Sequence, residues 1–378
     1  MADKNSLKIT ISGVFNKICN KCFRFFFERI QSQKAFDILV RNVAFKALNI
    51  KFRNIKLHVN NVCNLRCKNC YCDFSLEESL SCREICNLIS QLRPVGGNLK
   101  LQLLGGEPLL RGDLFEIINY AKRKIKHITI YTNATLVTPR LAARIKQAGV
   151  SAVIVNLYSC YKDIHDGITQ TPGSWEKTQE GIRNLIAAGL PTHTFTVLMS
   201  VNVNHLKQID DFARGLKAKT MFFPYIKQGS CDLQPEDRKS FQYAIDWAYN
   251  TSKAYKNKLL DVLSKRPKAC SAFISTINIK SDGTVTPCPF LNLNLGNIKN
   301  EKFYAIINNS CRNQDLLDFL SIPDGCRACS LVRLCGGGCK AYRFNNYRDA
   351  ISKDSNCNGP YSESIPLEKI GEYLPYVL

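Results

Sequence analysis

From residue 55 to residue 255, short apolar runs alternate with stretches of helical pattern. The runs predict strands at Ile55–Val59, Leu99–Leu104, Ile128–Tyr131, Ala152–Leu157, His193–Ser200 and Lys219–Tyr225. The stretches between and after them predict helices over Ser75–Leu92, Asp113–Lys124, Pro139–Ala148, Ser174–Ala188, Val203–Gly215 and Pro235–Tyr255. The last of these opens on Pro235, with Glu236 and Asp237 in its first turn, which is a good N-terminal signal. Six β/α units in series imply an α/β fold with a parallel sheet and helices outside it. Six are too few to close an eight-stranded barrel, so the expected form is a partial (β/α)6 TIM-like barrel. Its site belongs at the C-terminal ends of the strands.

After about residue 256 the pattern changes: glycine and cysteine become denser and the strands shorter. This divides the chain into a barrel over 52–255, a cysteine-rich domain over 256–363 and a tail over 364–378. The tail's spaced Ile365, Leu367, Ile370, Tyr373 and Leu374 suit a cap on a domain. The extension 1–51 carries 10 Lys and Arg against 3 Asp and Glu, with Phe15, Ile18, Phe25, Phe26, Phe27 and Ile30 interleaved. It reads first as a solvated helix packed on the barrel, and second as a peptide-docking or membrane-surface element.

With 378 residues the chain can bury a sizeable core without disulfide staples. Its 45% apolar and 22% charged residues exclude a wholly disordered or collagen-like protein. No stretch approaches the ~18 apolar residues of a membrane span, and the N-terminus shows no secretory pattern, so the expected location is cytoplasmic. Two numbers change the picture. Lys and Arg exceed Asp and Glu by 52 to 31, a formal charge of +21 that favours anionic partners. There are also 18 cysteines, and in a reducing compartment so many thiols point to metal ligation, catalysis or inert burial.

Spacing separates these readings. Cys63-x3-Cys67-x2-Cys70 forms one group; Cys270 and Cys288, with Gly283 five residues before Cys288, form a second. Cys326-x2-Cys329-x5-Cys335-x3-Cys339, followed by Cys357, forms a third. A single thiol is most simply a small buried hydrophobe. Thiols two to five residues apart on tight loops can instead converge on one centre. Zinc is the rival metal, because it also takes C-x2-C pairs. The first group has three cysteines and no nearby fourth, and three thiolates on a four-iron cluster leave one iron open to a ligand.

Following an apolar strand, Cys63-x3-Cys67-x2-Cys70 resembles the signature of the radical S-adenosylmethionine (SAM) enzymes. The other seven cysteines are similar to the pattern of that family's SPASM extension, and the joint resemblance spans about residues 52–360. It implies SAM and three [4Fe-4S] clusters. One cluster would be held by Cys63, Cys67 and Cys70, one by Cys326, Cys329, Cys335 and Cys357, and one by Cys270, Cys288 and Cys339. Gly105-Gly106-Glu107-Pro108 looks like the family's GGEP loop, in which backbone approach and a carboxylate hold the SAM amino group. Asn133 and Asn156, at the ends of the third and fourth strands, are implied at the ribose and methionine parts. The run HDGITQTPGSWEKTQEGI resembles the stretch after strand four. Two departures stand out. Asn69 occupies the position usually aromatic, with Tyr71 two residues later as the aromatic expected at the cofactor, and the arginine often found after the HD pair is absent.

The resemblance implies a 5′-deoxyadenosyl radical that removes hydrogen from an unactivated carbon, with an auxiliary cluster accepting an electron. Enzymes with this extension commonly modify ribosomally made peptides or protein side chains, and the +21 charge suits an acidic leader peptide. An oxidative cross-link is the first expectation; a small-molecule cofactor precursor or sugar is the alternative substrate. The sulfatase-activating subgroup is not implied, because Pro289 follows Cys288 where that subgroup carries Asp. A small electron donor such as flavodoxin or ferredoxin is the implied redox partner. Nucleic acid is not an expected partner, because a zinc-holding binding protein has no use for GGEP or for the β/α alternation.

Overall fold

The computed structural model describes residues 52–72, 74, 79–92, 99–226, 270–310, 312–330, 332, 336–347 and 357. The extension 1–51, the helix expected over Pro235–Tyr255, the tail 364–378 and Cys19, Cys22, Cys231, Cys311 and Cys335 lie outside the described residues.

All six expected strands are present: β1 (Asn54–His58), β2 (Lys100–Leu104), β3 (His127–Thr132), β4 (Ala152–Asn156), β5 (Thr192–Leu198) and β6 (Lys219–Pro224). Each is parallel to its neighbour. Among the described residues the sheet has eight strands rather than six, in the order β6-β5-β4-β3-β2-β1-β7-β8. β7 (Thr276–Ile279) lies parallel to β1, and β8 (Val285–Thr286) returns antiparallel to β7. The extra pair comes from the cysteine-rich half. Without it β1 would present a row of unpaired backbone groups beside the core. The brevity of β7 and β8 hides them from a search for long apolar runs.

Around the sheet lie α1 (Cys82–Gln91), α2 (Leu114–Lys122), α3 (Pro139–Gln147), α4 (Lys162–Thr169), α5 (Ser174–Ala187) and α6 (Leu206–Gly215). The C-terminal half adds α7 (Phe303–Ser310), α8 (Gln314–Leu320) and α9 (Lys340–Tyr347). α1 begins at Cys82, not at Ser75. The Ser81 side chain accepts from Glu84 N, and Ser81 N donates to the Glu84 carboxylate, so a capping box sets the start. α4 was not expected, being only two turns long.

Alternation along the strands fixes which side chains face the helices. Ile55, Leu57, Leu101, Leu103, Ile128, Ile130, Val153 and Val155 join Ile85, Leu88, Ile117, Ile118, Ala142, Ile145, Ile182 and Leu185 in one core. The same core continues through Ile277, Ile279, Val285, Phe303, Leu316 and Phe319, so the barrel and the cysteine-rich half share it. The opposite face is less covered and carries Lys56, Gln102, Thr129, Tyr131, Asn156, Phe195 and Val197. Among the described residues no helix is long and apolar enough to cross a membrane.

Candidate functional site

β1 leads straight into the first cysteine loop, and two clamps hold that loop. On one side, Gly105 and Gly106 end β2 against the backbone of residues 60–63. A Cβ on Gly106 would stand 2.2 Å from Val62 O, and one on Gly105 would stand 2.6 Å from Asn60 O. Gly106 N donates to Asn60 O (3.1 Å), Glu107 N to Val62 O (2.8 Å), and Asn60 Nδ2 to Glu107 O (2.9 Å). The Cys72 thiol donates to Gly105 O (3.0 Å). On the other side, the end of α4 accepts from the loop, Lys68 N to Ile168 O (2.9 Å) and Arg66 N to Thr169 O (3.3 Å). Asp166, of the HD pair, holds the turn after α4 by accepting from Gly173 N (2.9 Å), Ser174 Oγ (2.7 Å) and Trp175 N (2.8 Å).

Glu107 is 1% exposed, and its carboxylate serves the chain itself. One oxygen accepts from Leu109 N (3.0 Å) and Thr132 Oγ1 (2.8 Å), and the other from Asn133 N (2.8 Å). It therefore pins the β2 loop to the end of β3. Burial pushes its carboxyl up to about 7, against the pull of those three donors. Pro108 opens the 3-10 turn Pro108–Leu110 that follows.

Asn133 reaches the cysteine loop directly. Its Nδ2 donates to Asn64 Oδ1 (3.0 Å) and lies 3.9 Å from Cys63 Sγ, while its Oδ1 accepts from Thr135 N (2.9 Å). Asn156 ends β4 beside Phe195, half-buried on the open face. Tyr71 sits elsewhere than at a strand end. Its ring meets His58 edge-on at 5.7 Å and Phe290 at 5.1 Å, bridging the first cysteine loop to the segment after Cys288.

The three thiols differ in environment. Burial, with the charges of Cys70 and Cys63 added, pushes Cys67 up to about 12, while the Tyr158 side chain hydrogen-bonds to it. Burial also raises Cys63, which accepts from Leu65 N (3.4 Å). Cys70 is held down to about 7 by hydrogen bonding from Cys72. The backbone N–H of Cys72 donates to Cys70 Sγ (3.4 Å) and favours a thiolate there. Tyr158 and Asn60 build this site without being singled out in the sequence. Their common signal is position, since each follows the end of a strand beside the first cysteine loop.

In the second half, Cys270 precedes β7 and Cys288 follows β8. Burial pushes Cys288 up to about 11, with Cys270 adding to the rise and Lys56 opposing it. A polar chain crosses from β1 to this pair. His58 Nε2 meets Asn278 Oδ1 (3.0 Å), Asn278 Nδ2 donates to Thr286 Oγ1 (2.9 Å), and Thr286 Oγ1 donates to Cys288 O (3.1 Å). Burial holds His58 down to about 4, so it is neutral there. Cys326 and Cys329 sit on one turn, with Cys329 N donating to Cys326 O (3.1 Å). Gly336, Gly337 and Gly338 are all left-handed (φ 64°, 86° and 85°), and they turn the chain before Cys339 enters α9. Cys339 packs on the same core as Cys270 and Cys288.

Among the described residues no three Cys, His, Asp or Glu side chains gather closely enough to hold a single metal ion. The donor set suits an iron–sulfur cluster, a larger body for thiols to surround. Cys63, Cys67 and Cys70 act on one another electrostatically on a single loop. That loop is seated in a cradle which a Cβ at position 106 would fill.

The family described as the radical SAM superfamily matches residues 57–213, and the family described as an iron–sulfur cluster-binding domain (SPASM) matches residues 270–330. The AdoMet-dependent heme synthase of Nitratidesulfovibrio vulgaris is 25% identical over 337 residues, covering 80% of this chain and 91% of that protein. A probable GTP 3′,8-cyclase of Methanococcus maripaludis is 30% identical over 274 residues, covering 66% of this chain and 89% of that protein. The fold is similar to that of anSMEcpe with bound AdoMet (TM-score 0.66, 19% identity, 80% of this chain and 93% of that one). It is also similar to Streptococcus suis SuiB bound to the precursor peptide SuiA (TM-score 0.66, 16% identity, 82% of this chain and 76% of that one). The chain belongs to the radical SAM superfamily and carries a C-terminal iron–sulfur cluster-binding domain of the SPASM type.

Proposed function

We propose that this radical SAM protein is an oxidoreductase that modifies a ribosomally made peptide or a protein side chain by hydrogen removal. Cys63, Cys67 and Cys70 hold the SAM-binding cluster. Cys326, Cys329, Cys335 and Cys357 hold one auxiliary cluster, and Cys270, Cys288 and Cys339 hold another. When bound, SAM and its cluster supply the carbon radical that no side-chain base can replace. The chain's own residues supply position. Gly105 and Gly106 seat the cysteine loop, and Glu107 sets the β2 and β3 loops. Asn133 orients Cys63 and stands with Asn156 where the strands end, at the ribose and methionine side.

The observation that carries the peptide reading is the open face of the sheet together with the charge. β6 ends the sheet among the described residues, with Met221 and Phe223 exposed beside Phe195, and the formal charge is +21. Exposed apolar and aromatic side chains on an edge strand of a basic protein suit an acidic peptide. A small-molecule substrate is the second reading. The names of two relatives, a heme synthase and a probable GTP 3′,8-cyclase, favour it.

The test uses anaerobic, reconstituted enzyme with SAM, reductant and short peptides encoded beside its gene. Loss of hydrogen from a peptide, read by mass spectrometry, with matching 5′-deoxyadenosine, is the expected result. SAM cleavage stimulated only by small tetrapyrroles or nucleotides would replace it with the second reading.

A further inference from the structure

Arg111 closes the 3-10 turn that follows Glu107, and its side chain is 10% exposed. One of its nitrogens, Nη1, donates to two carbonyls, Val59 O and Leu80 O (2.8 Å). Val59 is the residue after β1, and the chain runs on from it into Cys63. Val59 N donates to Leu104 O (2.7 Å), which ends the ladder, and its carbonyl is taken by Arg111. Leu80 stands just before the Ser81 cap of α1 and is buried. Its N–H donates to Ser281 O (2.7 Å), in the turn between β7 and β8. A Cβ on Gly283 of the same turn would stand 3.1 Å from Leu80 Cδ2. Leu80 is thus held by Arg111 at its carbonyl and by the hairpin of the cysteine-rich half at its N–H. Asp113 fixes the guanidinium, Oδ1 accepting from Nε (2.5 Å) and Oδ2 from Nη2 (3.0 Å). As the N-cap residue of α2, Asp113 would ordinarily accept from that helix's first N–H groups. It makes no such bond and gives both oxygens to Arg111. The two-pronged pairing aims Nη1 at the carbonyls in a set direction.

We propose that Arg111 is a positioning residue that ties the first cysteine loop to the β7–β8 hairpin, and so sets the separation between the SAM-binding site and the iron–sulfur group at Cys270 and Cys288. This rests on reading Cys63, Cys67 and Cys70, and the Cys270 and Cys288 pair, as cluster ligands. The hairpin lies between Cys270 and Cys288 in the chain, and the backbone that Arg111 holds leads into Cys63. Strand pairing between β1 and β7 stops at Leu57 and Ile279, short of the loop. Arg111 carries the connection past the strand ends, with hydrogen bonds to backbone where Tyr71 and Phe290 offer a ring contact. Two centres that serve one substrate need a fixed spacing, because a misplacement of about 1 Å arising far from the chemistry is enough to slow a reaction.

The test uses full-length, anaerobically reconstituted protein and compares wild type with Arg111→Met, Arg111→Lys, Asp113→Asn and the Arg111→Met/Asp113→Asn double variant. Iron content, amide hydrogen exchange and the EPR signal of the reduced protein, titrated with SAM, are read on each. With Arg111→Met, exchange quickens about tenfold over both 79–82 and 280–284, and about tenfold more SAM is needed to change the first cluster's signal. Asp113→Asn moves both readouts the same way, and the double variant is no worse than Arg111→Met, because Asp113 acts through Arg111. If Arg111→Met loses its iron, Arg111→Lys, which keeps the charge but not the fork, is read in its place and shows a smaller shift in the same direction. Unchanged exchange over 280–284, or an unchanged SAM titration, overturns the proposal. Strict additivity of the Arg111 and Asp113 effects overturns it too, since Asp113 would then serve only its own helix. The ligand reading fails separately: a Cys270→Ser/Cys288→Ser double variant that keeps all its iron overturns that reading, whatever Arg111 does.

Discussion

At Gly106 a methyl group has nowhere to go. Its Cβ would lie 2.2 Å from the Val62 carbonyl oxygen, a backbone atom one residue before Cys63. Gly106→Ala is expected to cost about 1–3 kcal/mol and to displace the cysteine loop. Iron content and 5′-deoxyadenosine formation should both fall, and unchanged values for both would mean that the loop tolerates the shift. Glu107 carries a different prediction. Its carboxyl is raised from 4.5 to about 7 by burial, so between those values the folded state binds more protons than the unfolded one. Its contribution is therefore complete below pH 4.5 and is lost as pH rises to about 7, by up to ~3 kcal/mol. Denaturant titrations across that range should show this slope, and Glu107→Gln should flatten it.

At the scale of elements, the end of α4 holds the cysteine loop, and α5 packs on α4. Asp166 is the pin between them, accepting from two backbone N–H groups and one hydroxyl. Asp166→Ala removes what amounts to an N-terminal cap on α5, at a cost of about 1–2 kcal/mol. The expected outcome is a lower thermal midpoint, with faster amide exchange over 166–175. Burial opposes ionisation of Asp166, but its hydrogen-bond donors outweigh that and bring it down to about 2. The stability it lends is thus present above pH 3.8 and lost as pH falls toward 2. The HD run was legible as a family stretch. Its use as a clamp was not, because α4 is too short for periodicity to show and its bonds to Arg66 and Lys68 join segments a hundred residues apart.

On the scale of the whole molecule, the two halves share one core and one sheet. The three four-iron clusters of the proposed function predict about twelve irons per chain. Replacing Cys63, Cys67 and Cys70 together by Ala should remove about four of them and abolish 5′-deoxyadenosine formation, leaving the auxiliary irons in place. Iron and sulfide analysis beside a SAM-cleavage assay checks both. The formal charge of +21 makes a further prediction. Binding of an acidic peptide should weaken steeply as salt rises, whereas a neutral small substrate should be nearly indifferent. A salt series on the binding constant separates the two.

The chain's order of residues was enough for the barrel strands and for all but one of the helices between them. Those are local properties: apolar periodicity and turn residues act over a few positions. It was not enough for β7 and β8, which have four and two residues and become strands only by completing the edge of β1. Nor could it show that Glu107 is held by Leu109, Thr132 and Asn133, or that Tyr71 packs between His58 and Phe290. Each of these joins side chains from separate parts of the chain. Such contacts depend on how the strands are ordered and which face each residue takes, and that geometry exists only once the sheet has formed.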